Sequence, residues 1–158
     1  SNLAEAVGAP VMPPRAGGAH YLVGDDSGNL VSIETMGKQF QVVYPEGNAI
    51  GHTNHYLAAS LKDREYIRPQ AIGSSLARYA ALHRYLRETG DQLNLSRLQE
   101  LTRSHTSFPR SICAHGSDQE ATGFRSRTLA AMVHVLNDRT LHITSGCACQ
   151  NEYAAVNL

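Results

Sequence analysis

Three stretches of this chain carry side chains able to do chemistry, and each has a plainer alternative. The densest is Gly51-His52-Thr53-Asn54-His55-Tyr56. His52 and His55 could ligate a metal, but on an extended segment positions three apart point to opposite faces. No Cys-x-x-Cys or His-Glu-x-x-His accompanies them, and Cys147-Ala148-Cys149 has the wrong spacing for a zinc knuckle. Neither a metal nor a cofactor is therefore expected. Asn54 could instead offer a side-chain N–H to a developing oxyanion, a task that needs a fixed donor. The plainer reading is a set of polar side chains satisfying a turn, and on residue chemistry alone it is the stronger.

The second stretch is Ser111-Ile112-Cys113-Ala114-His115. On a strand Cys113 and His115 would share a face, which allows a thiolate–imidazole pair. The alternative is a small buried apolar cysteine. No Gly-x-Ser-x-Gly elbow and no glycine-rich phosphate loop occurs. Ser1 could act only if its free amine served as a base. The third stretch is Arg125-Ser126-Arg127, where strand alternation would put both guanidinium groups on one face to orient a carboxylate or a nucleophile. Charge along a solvent-facing strand edge explains the same residues.

The elements that must position these groups run strands, helices, strands. Residues 2–8 read as a short helix capped by Ser1 or Asn2 and stopped by Gly8, and a Pro- and Gly-rich loop follows over 10–18. Residues 19–24, 30–35 and 40–44 read as strands, with 49–54 as a fourth, joined too tightly for parallel crossovers. The alternation over 30–35 is that of a half-buried strand with polar side chains facing water. Leu76, Tyr79, Leu82, His83 and Leu86 recur at helical spacing after Ser74 or Ser75, and Gly90 ends that helix. Asn94 or Ser96 caps a second, shorter one. Residues 127–136 and 139–144 read as a strand pair. The fold class is α+β, with antiparallel sheet and helices in a single domain over 1–158.

Composition narrows the function. Fourteen basic residues balance fourteen acidic ones, which argues against nucleic acid or an anionic membrane as partner. No apolar run approaches the roughly 18 residues of a membrane span. Three cysteines are too few and too odd for a disulfide scaffold, and they read as reduced thiols in a cytoplasmic setting.

Several segments together resemble the acyl-coenzyme A:6-aminopenicillanic acid acyltransferase family. They are Gly18-Ala19-His20-Tyr21-Leu22-Val23 with the Asp-rich turn and Ile33-Glu34-Thr35, then Gly51-His52-Thr53-Asn54-His55-Tyr56-Leu57. Ser74-Ser75-Leu76-Ala77-Arg78-Tyr79, Ser111-Ile112-Cys113-Ala114-His115, Arg127-Thr128-Leu129-Ala130 and Gly146-Cys147-Ala148-Cys149 continue the series in order. The His-Thr-Asn-His element is the most specific part. The resemblance implies an αββα fold of the N-terminal-nucleophile hydrolases and a precursor that cuts itself to expose an N-terminal cysteine. That cysteine attacks an amide or acyl thioester, and the acyl group passes to water or an amine. It also implies an oxyanion-hole role for Asn54 and a Ser-Arg pair near the nucleophile, matched by Ser126 and Arg127 with Arg125 competing.

One departure from the family pattern is large: no cysteine precedes Cys113, and the family nucleophile opens its segment upstream of every motif found here. The chain is accordingly expected to be the C-terminal part of such an enzyme, inactive alone. Its expected partners are the nucleophile-bearing segment, an acyl amide or acyl-CoA substrate, and a second copy in a homo-oligomer. The rival expectation is a non-catalytic binding module derived from the same fold.

Overall fold

The structure is a computed structural model that describes residues 2–12, 14–45, 47–116 and 126–158. Its residues gather into two compact units, 1–68 and 69–158.

In the first unit, α1 (Leu3–Val11) opens with Asn2 as cap: Asn2 Oδ1 accepts from the Glu5 N–H at 3.0 Å, and Glu5 Oε2 accepts from the Asn2 N–H in return. The helix runs through Gly8 and Pro10, so Gly8 is not the stop the sequence suggested. Its last carbonyls are instead held by Arg15, whose guanidinium donates to Val11 O at 2.6 Å and to Pro10 O at 3.2 Å. Ser1 lies outside the described residues.

Three antiparallel strands follow in the order β1 (Ala19–Gly24), β2 (Leu30–Met36), β3 (Gln39–Val43). Asp25 builds the first turn by accepting from the Ser27 and Asn29 N–H groups and the Asn29 side chain, and Gly28 takes a left-handed φ of 85°. β2 lies in the middle and is buried on both faces: Ile33 and Thr35 on one, Ser32 and Glu34 on the other. The sequence alternation found the strand but misplaced its polar side chains, which face the interior. Residues 49–54 form no strand, and a four-residue helix α2 (Ala59–Lys62) follows them.

In the second unit, α3 (Pro69–Thr89) begins five residues before the expected caps. Proline at the first helical position has no N–H to leave unpaired, which makes it a natural start. Ser74 bonds the Arg110 carbonyl instead of capping, and Ser75 and Ala81 are buried while Leu76 is half exposed. Gly90, at φ 50°, ends the helix as expected. α4 (Leu95–Thr102) starts at Asn94, whose Oδ1 accepts from the Arg97 N–H at 3.1 Å. The second sheet has the order β4 (Ala130–Val135), β5 (Thr140–Ser145), β6 (Ala154–Asn157), all antiparallel, and α4 packs on β4. The short, exposed β6 left no pattern in the sequence. The chain is thus α+β, with two small antiparallel sheets and helices.

Candidate active site

The His52–Tyr56 stretch is fixed by one buried acid. Glu34, on the central strand, has no exposed surface. Its Oε1 accepts from His52 Nε2 at 2.7 Å and from the Leu57 N–H at 2.6 Å, and its Oε2 accepts from the Ala58 N–H at 2.9 Å. A second carboxyl, Glu65, accepts from the Tyr56 N–H at 2.6 Å. These N–H groups are given to side chains, so residues 56–58 cannot use them in a sheet ladder. They pin the chain just past the expected fourth strand, whose residues 49–54 form a loop.

His20 completes the cluster from the neighbouring strand. It pairs with Glu34 in the β1–β2 register, stacks on His52 with centroids 3.6 Å apart, and sits 2.9 Å from Ser32 Oγ. Burial, then the neighbouring His52, lowers its pKa from 6.5 to about 4 against the opposing pull of Glu34. His20 is therefore neutral at pH 7. His55 is buried with Nδ1 3.1 Å from Thr53 Oγ1, and burial also lowers its pKa. Tyr56 donates to the Thr35 carbonyl at 2.8 Å, and burial with Glu34 and Glu65 nearby keeps the phenol protonated. His52 and His55 thus turn to different partners.

Asn54 lies exposed at a bend between these anchors. The chain is tied down on one side by His52 and on the other by Tyr56, Leu57 and Ala58. These ties fix the chain on both sides of Asn54. Sequence reasoning singled out Asn54 and missed Glu34 and His20. The only available signal was an acid in the middle of a strand otherwise built of uncharged residues, Leu, Val, Ser, Ile, Thr and Met.

Ser126 and Arg127 belong to the second unit. Both are exposed and precede β4, which starts at Ala130, so strand alternation does not govern where they point. Arg125 lies outside the described residues. Thr128, next to them, is held firmly: its N–H donates to the Ala114 carbonyl at 3.0 Å and its Oγ1 accepts from the Ala114 N–H at 2.9 Å.

Cys113 and His115 do meet, with Sγ and Nε2 3.6 Å apart, though not on a strand. Cys113 is fully buried, and burial pushes its thiol above the ordinary range. That is the opposite of what an activated nucleophile needs. Cys113, Cys147 and Cys149 are all free thiols.

In the first unit a small antiparallel sheet clamps a polar loop through a buried acid. The family model for acyl-coenzyme A:6-aminopenicillanic acid acyl-transferase matches residues 1–149, and the chain belongs to that family. No curated protein matches it. Among the described residues no helix is long and apolar enough to cross a membrane.

Proposed function

We propose that residues 1–158 act as one domain, the C-terminal part of an amide hydrolase or acyltransferase of the N-terminal-nucleophile type. The acyl donor is an amide or an acyl thioester such as acyl-CoA, and the acceptor is water or an amine. The nucleophile is an N-terminal cysteine supplied by a segment outside this sequence. Its thiolate attacks the acyl carbonyl as its own α-amino group takes the thiol proton. The amide C–N or thioester C–S bond breaks, and the amine or CoA thiol leaves with that proton. The acceptor then displaces the cysteine and takes the acyl group. Asn54 donates to the oxyanion, and Ser126 with Arg127 shapes the surroundings of the nucleophile. In this reading the two sheets are parts of an αββα sandwich.

The observation that carries the reading is the Glu34-anchored loop that presents Asn54 in a chain of this family. The raised thiol of Cys113 disfavours a self-contained cysteine hydrolase. Exposed Met132 and Val156 share one face of the second sheet, which supports a covering partner such as a second copy or the nucleophile segment.

The test is Asn54→Ala in the enzyme produced together with its nucleophile segment. The oxyanion forms only in the transition state, so kcat should fall about a hundred- to a thousand-fold with KM little changed. The fold should survive. A kcat within about threefold of wild type, where one lost donor should cost at least a hundredfold, refutes the assignment. In that event Asn54 belongs only to a turn.

A further inference from the structure

The second unit holds a cluster that the proposed acyl transfer does not use. His105, Cys113, His115 and Cys149 each offer one ligand atom, and all four atoms lie within 4.8 Å of one another. Cys113 Sγ and Cys149 Sγ are 3.6 Å apart. His115 Nε2 lies 3.6 Å from Cys113 Sγ, 3.3 Å from Cys149 Sγ and 3.1 Å from His105 Nε2.

These separations can be set against the edges of a coordination tetrahedron. Zinc bonds of about 2.3 Å to sulfur and about 2.0–2.1 Å to nitrogen, at tetrahedral angles, put two sulfurs about 3.8 Å apart. The same bonds put sulfur and nitrogen about 3.6 Å apart and two nitrogens about 3.3 Å apart. Each of the four distances is within about 0.3 Å of its ideal edge. The two sulfurs are also too far apart for a disulfide, whose bond is about 2.05 Å.

The surrounding backbone is built to hold this arrangement. The Cys113 N–H donates to the Ser104 carbonyl at 3.0 Å, and the His115 N–H donates to the Pro109 carbonyl at 2.9 Å. Those two bonds fold residues 104–115 back so that His105 and His115 face each other. Arg103 Nε donates to the Ala148 carbonyl at 3.0 Å, which brings the Cys149 turn to the same place. Asn151 secures that turn through the Cys147 carbonyl at 2.9 Å.

Cys147 stands just behind the four ligands. It is fully buried, and its S–H donates to the Ala114 carbonyl at 3.4 Å. Its sulfur also lies 3.8 Å from His115 Nδ1. With Nε2 as the ligand atom, the ring proton of His115 sits on Nδ1 and faces this sulfur, which stands where a carboxylate, carbonyl or water commonly orients a ligating imidazole. His105 and Cys149 reach the surface, which leaves an entry path.

We propose that His105, Cys113, His115 and Cys149 form a structural zinc site. Two thiols lose their protons to solvent as the divalent ion enters, and two neutral imidazoles complete a closed, electrically neutral shell. Four protein ligands leave no open position for substrate, so the ion ties the loop after α4 to the turn after β5 and takes no part in the chemistry. The proposal is independent of the acyl-transfer reading.

The experiment titrates the reduced, metal-free full chain anaerobically with Co²⁺, followed by competition with Zn²⁺. The expected result is one equivalent bound, with thiolate-to-cobalt charge transfer and the visible bands of a tetrahedral site, all bleached by zinc. His105→Asn and Cys149→Ser alter surface ligands, and their folding is checked by circular dichroism. Each should abolish or strongly change the cobalt spectrum. Cys147→Ala should keep the spectrum and weaken affinity about 10–100-fold. Zinc should raise the thermal midpoint of the wild type and leave that of His105→Asn unmoved. The proposal is overturned by the absence of charge transfer at stoichiometric cobalt. A spectrum unchanged in both surface variants, or one lost in Cys147→Ala alone, overturns it equally.

Discussion

Replacing Glu34 by glutamine separates its role as an anchor from its bulk. The carboxyl group accepts three N–H donors, two at Oε1 and one at Oε2. A glutamine amide has one oxygen and one NH₂. In the better orientation its oxygen keeps His52 and Leu57, and the NH₂ then confronts the Ala58 N–H, donor against donor. Both the Ala58 N–H and the new NH₂ are then left without an acceptor; at about 1–3 kcal/mol for an unpaired buried group, a loss of at least about 2 kcal/mol is expected. For a chain of this length that is a drop of about 4–8 °C in Tm. Glu34→Ala leaves all three donors without an acceptor and should lose more. Amide hydrogen exchange gives the local readout: the Leu57 and Ala58 N–H groups should be protected in the wild type, with Ala58 losing protection first in Glu34→Gln. A Tm change below about 1 °C, against the expected several degrees, with Ala58 protection intact, would show that the loop is not held by this residue.

Two further outcomes follow from the same unit. His20 is half-buried, and its pKa falls from 6.5 unfolded to about 4 folded; Glu34 and His52 are the titratable groups that face it. Above pH 6.5 both states hold it neutral, so it adds no pH dependence. As pH falls towards 4 the unfolded chain gains a proton that the folded chain refuses, and stability drops. At about 1.4 kcal/mol per pH unit, discounted for partial exposure, the loss is about 2 kcal/mol. Denaturant melts of His20→Gln between pH 4 and 7 should show a flatter profile, and an unchanged slope would refute the assignment. The second outcome concerns Gly18, where an added Cβ would run into the Tyr56 hydroxyl. Gly18→Ala should cost about 1–3 kcal/mol by overpacking. In a denaturation double-mutant cycle Tyr56→Phe should recover part of that loss, and strict additivity would contradict the clash.

What the sequence revealed tracks how local each determinant is. The turn at Asp25–Asn29 and the stop at Gly90 were legible because side chain and backbone settle them within a few residues. The hairpin of β4 and β5 was legible from its pattern, but β6, four exposed residues long, had none. Glu34 escaped because alternation treats a polar residue in a strand as solvent-facing. Its burial depends on His52, Leu57 and Ala58, which lie 18 to 24 residues further along. Asn54 was singled out as an isolated side chain, whereas the reason it is held belongs to that acid. The Cys and His cluster was hidden for a related cause. Its members come from three segments: Cys113-Ala114-His115 was legible only as a thiolate–imidazole pair, and Cys147-Ala148-Cys149 joins one cluster member to the cysteine behind it.

The polar interior of β2 also acts as a register lock. In a strand a slip of one residue exchanges the two faces. For most half-buried strands the penalty is apolar surface sent into water. Here a slip would carry Ser32 and Glu34 to the opposite face and pair His20 with Ile33 or Thr35 in place of Glu34. The loop N–H groups would be stranded without their acceptor. Each misaligned pairing therefore leaves buried donors unanswered, a larger penalty than apolar packing alone imposes. The acid that fixes the Asn54 loop also makes one alignment of the three strands the only one that satisfies it.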